Sequence, residues 1–169
     1  MSEYQSLNFM EEEALFSDEE LMIRDTVRSF VTNEVMPVLK ECHRSENFPT
    51  HLIRRFGEMG LLGSTISGYG CPGIGAVAYG LLMQELERAD SGIRSFCSVQ
   101  GALVMYPIFA FGTEEQKTKF LPLLASGEKV GCFGLTEPDA GSNPGGMLTR
   151  AEKVSGGYKL NGNKMWITN

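Results

Sequence analysis

The sequence predicts an α+β fold, an all-helical portion over most of the chain followed by the beginning of a β-barrel or β-sandwich domain. Three observations carry this. Two capping boxes, Ser17 with Glu20 and Thr113 with Gln116, each stand ahead of a run of helical spacing. Between them every long apolar segment repeats at helical intervals. After residue 125 the pattern changes to short strand-like runs divided by Gly-rich turns. The expected organisation is a helical domain over residues 1–128 and the start of a β domain over 129–169.

The first helix opens on Ser17 and presents Leu21, Val27, Phe30, Val31 and Val35 on one face. Pro37 and Pro49 bracket its end and the start of the next helix, residues 50–59, which closes on Gly60. A Gly-rich loop, residues 67–75, leads into a helix over 76–89 whose face includes Val77, Leu81, Leu82 and Leu86. After Asp90-Ser91-Gly92 comes the most apolar helix, residues 93–111. Thr113 then opens a short amphipathic helix that Pro122 helps to end. Residues 130–136, 147–154, 158–160 and 164–168 read as strands, with Ser155-Gly156-Gly157 and Asn161-Gly162 as hairpin turns. Four strands are too few to close a barrel, so the sequence reads as breaking off inside a β domain.

Composition narrows the function classes. The 169 residues are 42% hydrophobic and 21% charged, with 20 Gly, values of an ordinary globular protein. A net charge of -6 without a basic stripe excludes a nucleic-acid surface, which needs clustered Lys and Arg. The acidic run at Glu11–Glu13 and Asp18–Glu20 is a solvated face matched to a helix dipole. The apolar stretch 96–111 is interrupted by Ser98, Gln100, Gly101 and Pro107. It falls short of the roughly 20 residues of a membrane span, so it reads as a buried core helix without membrane insertion. Cys42, Cys71, Cys97 and Cys132 lack the spacing of a zinc site and read as small buried hydrophobes rather than a disulfide framework. No metal site is expected. Met1-Ser2-Glu3-Tyr4 begins neither a signal peptide nor an Arg-rich transit sequence.

Residues Gly68-Tyr69-Gly70-Cys71-Pro72-Gly73 satisfy G-x-G-x-x-G, the dinucleotide fingerprint. That fingerprint needs a hydrophobic strand before it and a parallel strand after its helix. Here a second helix follows, which favours a connecting loop that uses Gly conformations.

The segment from Cys132-Phe133-Gly134-Leu135-Thr136-Glu137-Pro138-Asp139-Ala140-Gly141-Ser142, together with Lys164-Met165-Trp166-Ile167-Thr168-Asn169, resembles the flavin-binding signature of acyl-CoA dehydrogenases. The resemblance extends upstream through residues 85–92 and 111–116. It implies an acyl-CoA dehydrogenase-like fold with FAD as cofactor. An uncharged ring system needs a flat apolar contact and a few fixed partners at its polar edge. On the family pattern Trp166 lies against one face of the flavin, with Ile167 beside it. The Thr168 hydroxyl lies near the reactive edge, and Phe133, Gly134, Leu135 and Thr136 run along the pyrimidine side. Gly141 turns the chain and Ser142 approaches the pyrophosphate and the CoA chain. Asn143-Pro144-Gly145-Gly146 departs from the Asp that many relatives carry after the Gly-Ser pair.

The acyl specificity rests on Ser91-Gly92-Ile93-Arg94-Ser95-Phe96-Cys97-Ser98. A guanidinium and two hydroxyls suit a substrate with a carboxylate at its far end. The cluster resembles the glutaryl-CoA branch of the family. There Arg94 would anchor the distal carboxylate, Ser95 and Ser98 would add hydrogen bonds, and Glu87 would orient Arg94. The same residues taken alone also suit a surface Arg near a helix start.

The resemblance implies α,β-dehydrogenation of an acyl-CoA, with glutaryl-CoA going to glutaconyl-CoA and then to crotonyl-CoA with loss of CO2, or stopping at glutaconyl-CoA. A related oxidase, another acyl-CoA, or a silent helical interaction fragment are the alternatives. No catalytic residue is expected within this chain, because the family's base is a Glu in a later helical domain. These 169 residues would then be inactive alone. Electron-transferring flavoprotein as partner and a homotetramer follow by resemblance, as does a bacterial cytoplasmic location, or the mitochondrial matrix for a processed protein.

Overall fold

Ser17 donates nothing to chance at the first helix start: its hydroxyl accepts from the Glu20 amide while the Glu20 carboxylate accepts from the Ser17 amide at 2.8 Å. The computed structural model describes residues 11–169, so the reading of Met1–Tyr4 lies outside the described residues. Helix α1 spans Asp18–Phe30 and passes through a widened π turn, Val31–Val35, straight into α2, Met36–Arg44. Pro37 therefore does not end the helix as the sequence suggested. The Met36 amide donates to the Val31 carbonyl five residues back. That looser ring accommodates the missing donor and the bulk of a proline in the following turn.

A 3-10 turn, Thr50–Leu52, leads into α3, Ile53–Glu58, which stops at Gly60 with a φ of 69°. Helix α4 spans Ala76–Ala89. Helix α5, Ser91–Ser98, continues through a second π turn, Val99–Met105, into α6, Tyr106–Phe111. Again a proline, Pro107, follows the π turn, and the Tyr106 amide reaches five residues back to Gly101. Helix α7, Glu114–Ala125, is opened by the Thr113–Gln116 capping box and runs through Pro122 rather than ending there. Burial of Leu121, Leu124 and Ala125 holds that last turn in place.

Helices α1 and α4 lie side by side, and α5 folds back on α4. Val27, Phe30, Val31 and Val35 meet Phe56, Leu82, Leu86, Ile93 and Phe96 in the main core. Phe56 stands at its centre, its ring 6.0 Å from both Phe30 and Phe96. Val77 departs from the expected face and is 48% exposed, with Ala78 buried in its place. A smaller core of Ile66, Met105, Leu121, Leu124 and Ala125 joins the π turn to α7. Glu85 enters the interior only because Arg28 and Arg88 take one carboxylate oxygen each, at 2.7 and 2.9 Å.

The G-x-G-x-x-G loop is a two-residue hairpin. Strands β1, Ser67–Gly68, and β2, Cys71–Pro72, pair antiparallel across Tyr69 and Gly70. Those two have φ of 55° and 86°, the double positive φ of a tight hairpin turn. The connecting-loop reading holds.

Residues 91–111 form a single helix of 21 residues, and its mean hydropathy of 1.2 makes it long and apolar enough to cross a membrane by length and composition. It is less buried than the sequence suggested: one side carries Ile93, Phe96 and Met105 into the cores, while Leu103, Tyr106 and Phe111 are exposed. The four thiols are free, and only Cys97 is fully buried; Cys132 is exposed, contrary to expectation.

Of the four expected strands two form. β3, Arg150–Val154, and β4, Gly157–Asn161, make an antiparallel hairpin around Ser155 and Gly156. Every residue of both strands is exposed. Residues 130–136 and 164–168 form no ladder. In the first, the Gly131 amide is spent on the Gln100 side chain. In the second, Trp166 has a φ of 59°, which breaks an extended run. Asn161-Gly162 is no turn, since Asn161 still pairs with Arg150. Gly162 is required there for another reason, because a Cβ would lie 2.1 Å from the Thr149 hydroxyl.

Candidate functional site

The two halves of the sequence signature, residues 132–142 and 164–169, are joined by a buried carboxylate. Glu137 is 5% exposed. It accepts from the Leu148 and Thr149 amides at 2.6 and 3.0 Å and from the Lys164 ammonium at 2.9 Å. The Thr149 hydroxyl, the Lys164 ammonium and the Leu148 amide beside it hold the Glu137 carboxyl down at about 2. The hydroxyl makes no hydrogen bond of normal geometry, so the amides and the ammonium carry the effect. Lys164 also donates to the Leu135 carbonyl at 2.9 Å, and the Met165 amide donates to Thr136 at 2.9 Å. Residues 133–136 and 164–166 are thereby laid side by side.

The resulting strip is open. Trp166 is 84% exposed and Phe133 41% exposed. A left-handed backbone at a bulky residue costs roughly 1–2 kcal/mol, and such conformations gather at ligand sites. Thr168 is exposed and Ile167 half-buried, while Leu135 and Thr136 are half-buried. Gly134 lies against Lys164, whose Cγ would be 3.6 Å from an added Cβ. Gly141 is not the turn residue expected. The turn is formed by reciprocal Glu137 and Ala140 backbone bonds at 3.2 and 3.1 Å, and Gly141 follows it with open space around it. Ser142 is exposed beyond that turn and no hydrogen bond joins it to residues 164–168.

The second cluster lies at the α4–α5 junction. Asp90 caps α5 by accepting from the Ile93 amide at 2.9 Å, which fixes the helix on which Arg94, Ser95 and Ser98 stand. The Arg94 Nε donates to Glu87 at 2.7 Å, and the Ser91 hydroxyl bonds the other Glu87 oxygen. Arg94 and then Ser91 hold the Glu87 carboxyl below the usual range. Among the described residues the two terminal nitrogens of Arg94 make no hydrogen bond, and its side chain is 37% exposed. Ser98, one turn on, donates to the Ser95 carbonyl at 3.2 Å.

Two amide side chains that sequence reasoning passed over connect the clusters. Gln100 is fully buried and bonds the backbone of residues 124, 129 and 131. Asn169 donates to the Phe96 and Gly131 carbonyls, both at 3.3 Å. The strip is therefore anchored to the helix that carries Arg94. The only available signal was a Gln in an otherwise apolar helical run. A flat, uncharged ring can lie on the aromatic side of the strip, and an anionic group can reach the free nitrogens of Arg94.

Comparison with known proteins agrees with this arrangement. Residues 17–128 match the acyl-CoA dehydrogenase amino-terminal domain, and residues 132–169 match the middle domain. The chain belongs to the acyl-CoA dehydrogenase family. A glutaryl-CoA dehydrogenase structure from Mycobacterium smegmatis superposes with a TM-score of 0.89 at 53% identity, over 92% of this chain and 40% of that one. A second structure of a glutaryl-CoA dehydrogenase from that organism, in complex with FADH2, gives 0.89 at 50% identity, with the same coverage. An acyl-CoA dehydrogenase of Bacillus subtilis is 40% identical over 90% of this chain and 41% of its own length. Mitochondrial isovaleryl-CoA dehydrogenase of Arabidopsis thaliana is 38% identical over 92% of this chain and 39% of its own. The chain thus spans about two-fifths of the length of these relatives.

Proposed function

We propose that this acyl-CoA dehydrogenase chain is the amino-terminal part of an FAD-dependent enzyme that oxidises glutaryl-CoA between its α and β carbons. The observation that carries the substrate is the Arg94–Glu87 pair. Its Nε is fixed at 2.7 Å while both terminal nitrogens stay available for a second carboxylate. Guanidinium binds carboxylate best through two parallel hydrogen bonds. A simple aliphatic tail would gain nothing from that charge. The similarity to two glutaryl-CoA dehydrogenase structures at 53% and 50% identity supports the same substrate.

The residues present suit FAD. Trp166 offers a wide apolar face, and the strip beside it combines Phe133 with the backbone of residues 134–136 and the Thr168 hydroxyl. When bound, the flavin takes up the hydride that leaves the β-carbon. Arg94, oriented by Glu87, holds the far end of the acyl chain, with the Ser95 and Ser98 hydroxyls on the same helix as further donors. Neither Glu85 nor Glu87 is suited to remove the α-proton. Glu85 is neutralised by two Arg side chains and Glu87 is held ionised by Arg94, and both pKa values lie on the low side. Product beyond glutaconyl-CoA, namely crotonyl-CoA and CO2, transfer of electrons to electron-transferring flavoprotein and a homotetrameric full-length protein belong to the same proposal.

Arg94→Gln in the full-length enzyme tests the substrate. KM for glutaryl-CoA should rise by at least roughly tenfold, the effect of losing a charge-assisted pair, with little change for butyryl-CoA. Equal losses on both thioesters would reject the assignment.

A further inference from the structure

We propose that Gln100 and Asn169 together act as a clamp on the Gly131 peptide, and that this clamp is the positioning device that sets the flavin strip against the acyl-recognition helix. The inference rests on the functional reading above and goes beyond it, because the hydrogen bonds of both side chains go to backbone groups of the chain itself.

The geometry is that of a built site. Gln100 sits in the π turn with no exposed surface. Its Nε2 donates to the Leu124 carbonyl at 3.0 Å and the Lys129 carbonyl at 2.9 Å, and its Oε1 accepts from the Gly131 amide at 3.0 Å. Only one orientation of the amide satisfies two acceptors and one donor, so the side chain is locked. Asn169 takes the carbonyl of the same residue, donating from Nδ2 to the Gly131 and Phe96 carbonyls. Gly131 also has no room for a side chain, since a Cβ would stand 2.4 Å from Val104 Cγ1, within the same π turn.

The contacts join three parts of the chain. Leu124 belongs to the end of α7, Lys129 and Gly131 to the segment entering the strip, Phe96 to α5 two residues past Arg94. The strip itself has no ladder bonds to the helices, so these five hydrogen bonds and the Val104 contact define where Phe133–Thr136 begin. A displacement of about 1 Å in such a supporting shell is enough to lower turnover substantially.

Gln100→Glu in the full-length protein tests the clamp. The ionised side chain turns an oxygen toward the two carbonyls that now receive N–H groups, whereas the protonated form restores one donor and one acceptor. Affinity for FAD and kcat with both glutaryl-CoA and butyryl-CoA should fall roughly tenfold at neutral pH, and affinity for FAD should recover as pH is lowered. The ratio of KM values should stay as in the wild type, unlike Arg94→Gln. Hydrogen exchange gives a readout that needs no flavin: amides of residues 131–136 should exchange faster while those of α4 and α5 stay protected. Asn169→Ala, at an exposed position, should produce the same local pattern in a protein that folds normally. Variants that lose thermal stability while keeping FAD affinity, kcat and local exchange at wild-type values would overturn the clamp. A wild-type protein that binds no FAD, yet whose residues 131–136 loosen selectively in both variants, would reject the flavin reading alone.

Discussion

Glu137 shows how much a single side chain can organise here. It is the residue through which the two signature segments meet, and its carboxyl, ordinarily at 4.5, sits at about 2. A carboxyl that titrates lower when folded adds stability that is complete above pH 4.5 and is lost as pH falls toward 2. Trp166 is the single tryptophan of the chain, so its emission reports the strip alone. Emission should change across that acid window in the wild type. Glu137→Gln should show little change there and resemble the acid form at neutral pH; identical acid transitions in both proteins would contradict the assignment. The sequence displayed Glu137 within the signature, yet nothing in its spacing revealed that its partners would be Leu148, Thr149 and Lys164. Arg94 was more legible, because a guanidinium near a helix start with an acidic residue seven positions earlier is a local pattern.

At the scale of elements, the capped helix starts and the stops at Gly60, Ala89 and Phe111 were readable, and the ends assigned to prolines were not. Ser17 and Thr113 announce themselves through side chains that cap their own helix, a property of residues three apart. Asp90 does the same for α5, with its second oxygen 3.0 Å from His43 Nε2. Asp90→Ala should cost about 1 kcal/mol through the lost cap, read as a lower midpoint in denaturant, and should weaken glutaryl-CoA binding through the start of the Arg94 helix. An unchanged midpoint would mean that the cap is dispensable. Proline, by contrast, misled at two positions. Pro37 and Pro122 both lie inside helices, the first after a π turn and the second beside buried Leu121 and Leu124. A local steric rule gave way to burial of the flanking apolar residues, which only the neighbouring helices provide.

On the scale of the molecule, the helical part is closed around two cores while the hairpin and the strip expose their residues. Trp166 at 84% and Phe133 at 41% leave one side of a bound ring in water. The 169-residue chain should therefore retain FAD weakly and show no dehydrogenase activity, measured by flavin absorbance after gel filtration and by dye reduction with glutaryl-CoA. Stoichiometric yellow flavin on the isolated chain would contradict this.

The sequence by itself determined the helical class of residues 17–125, the capped starts, the connecting nature of the Gly-rich hairpin and the family signature. Each depends on neighbours a few residues apart, where periodicity and capping chemistry act. Tertiary structure alone decided that helices run through their prolines, that two expected strands are irregular, and that Gln100, Glu137 and Asn169 tie the strip together. Those outcomes depend on groups 11 to 73 residues away competing for the same backbone donors and acceptors, a contest that only the folded chain resolves.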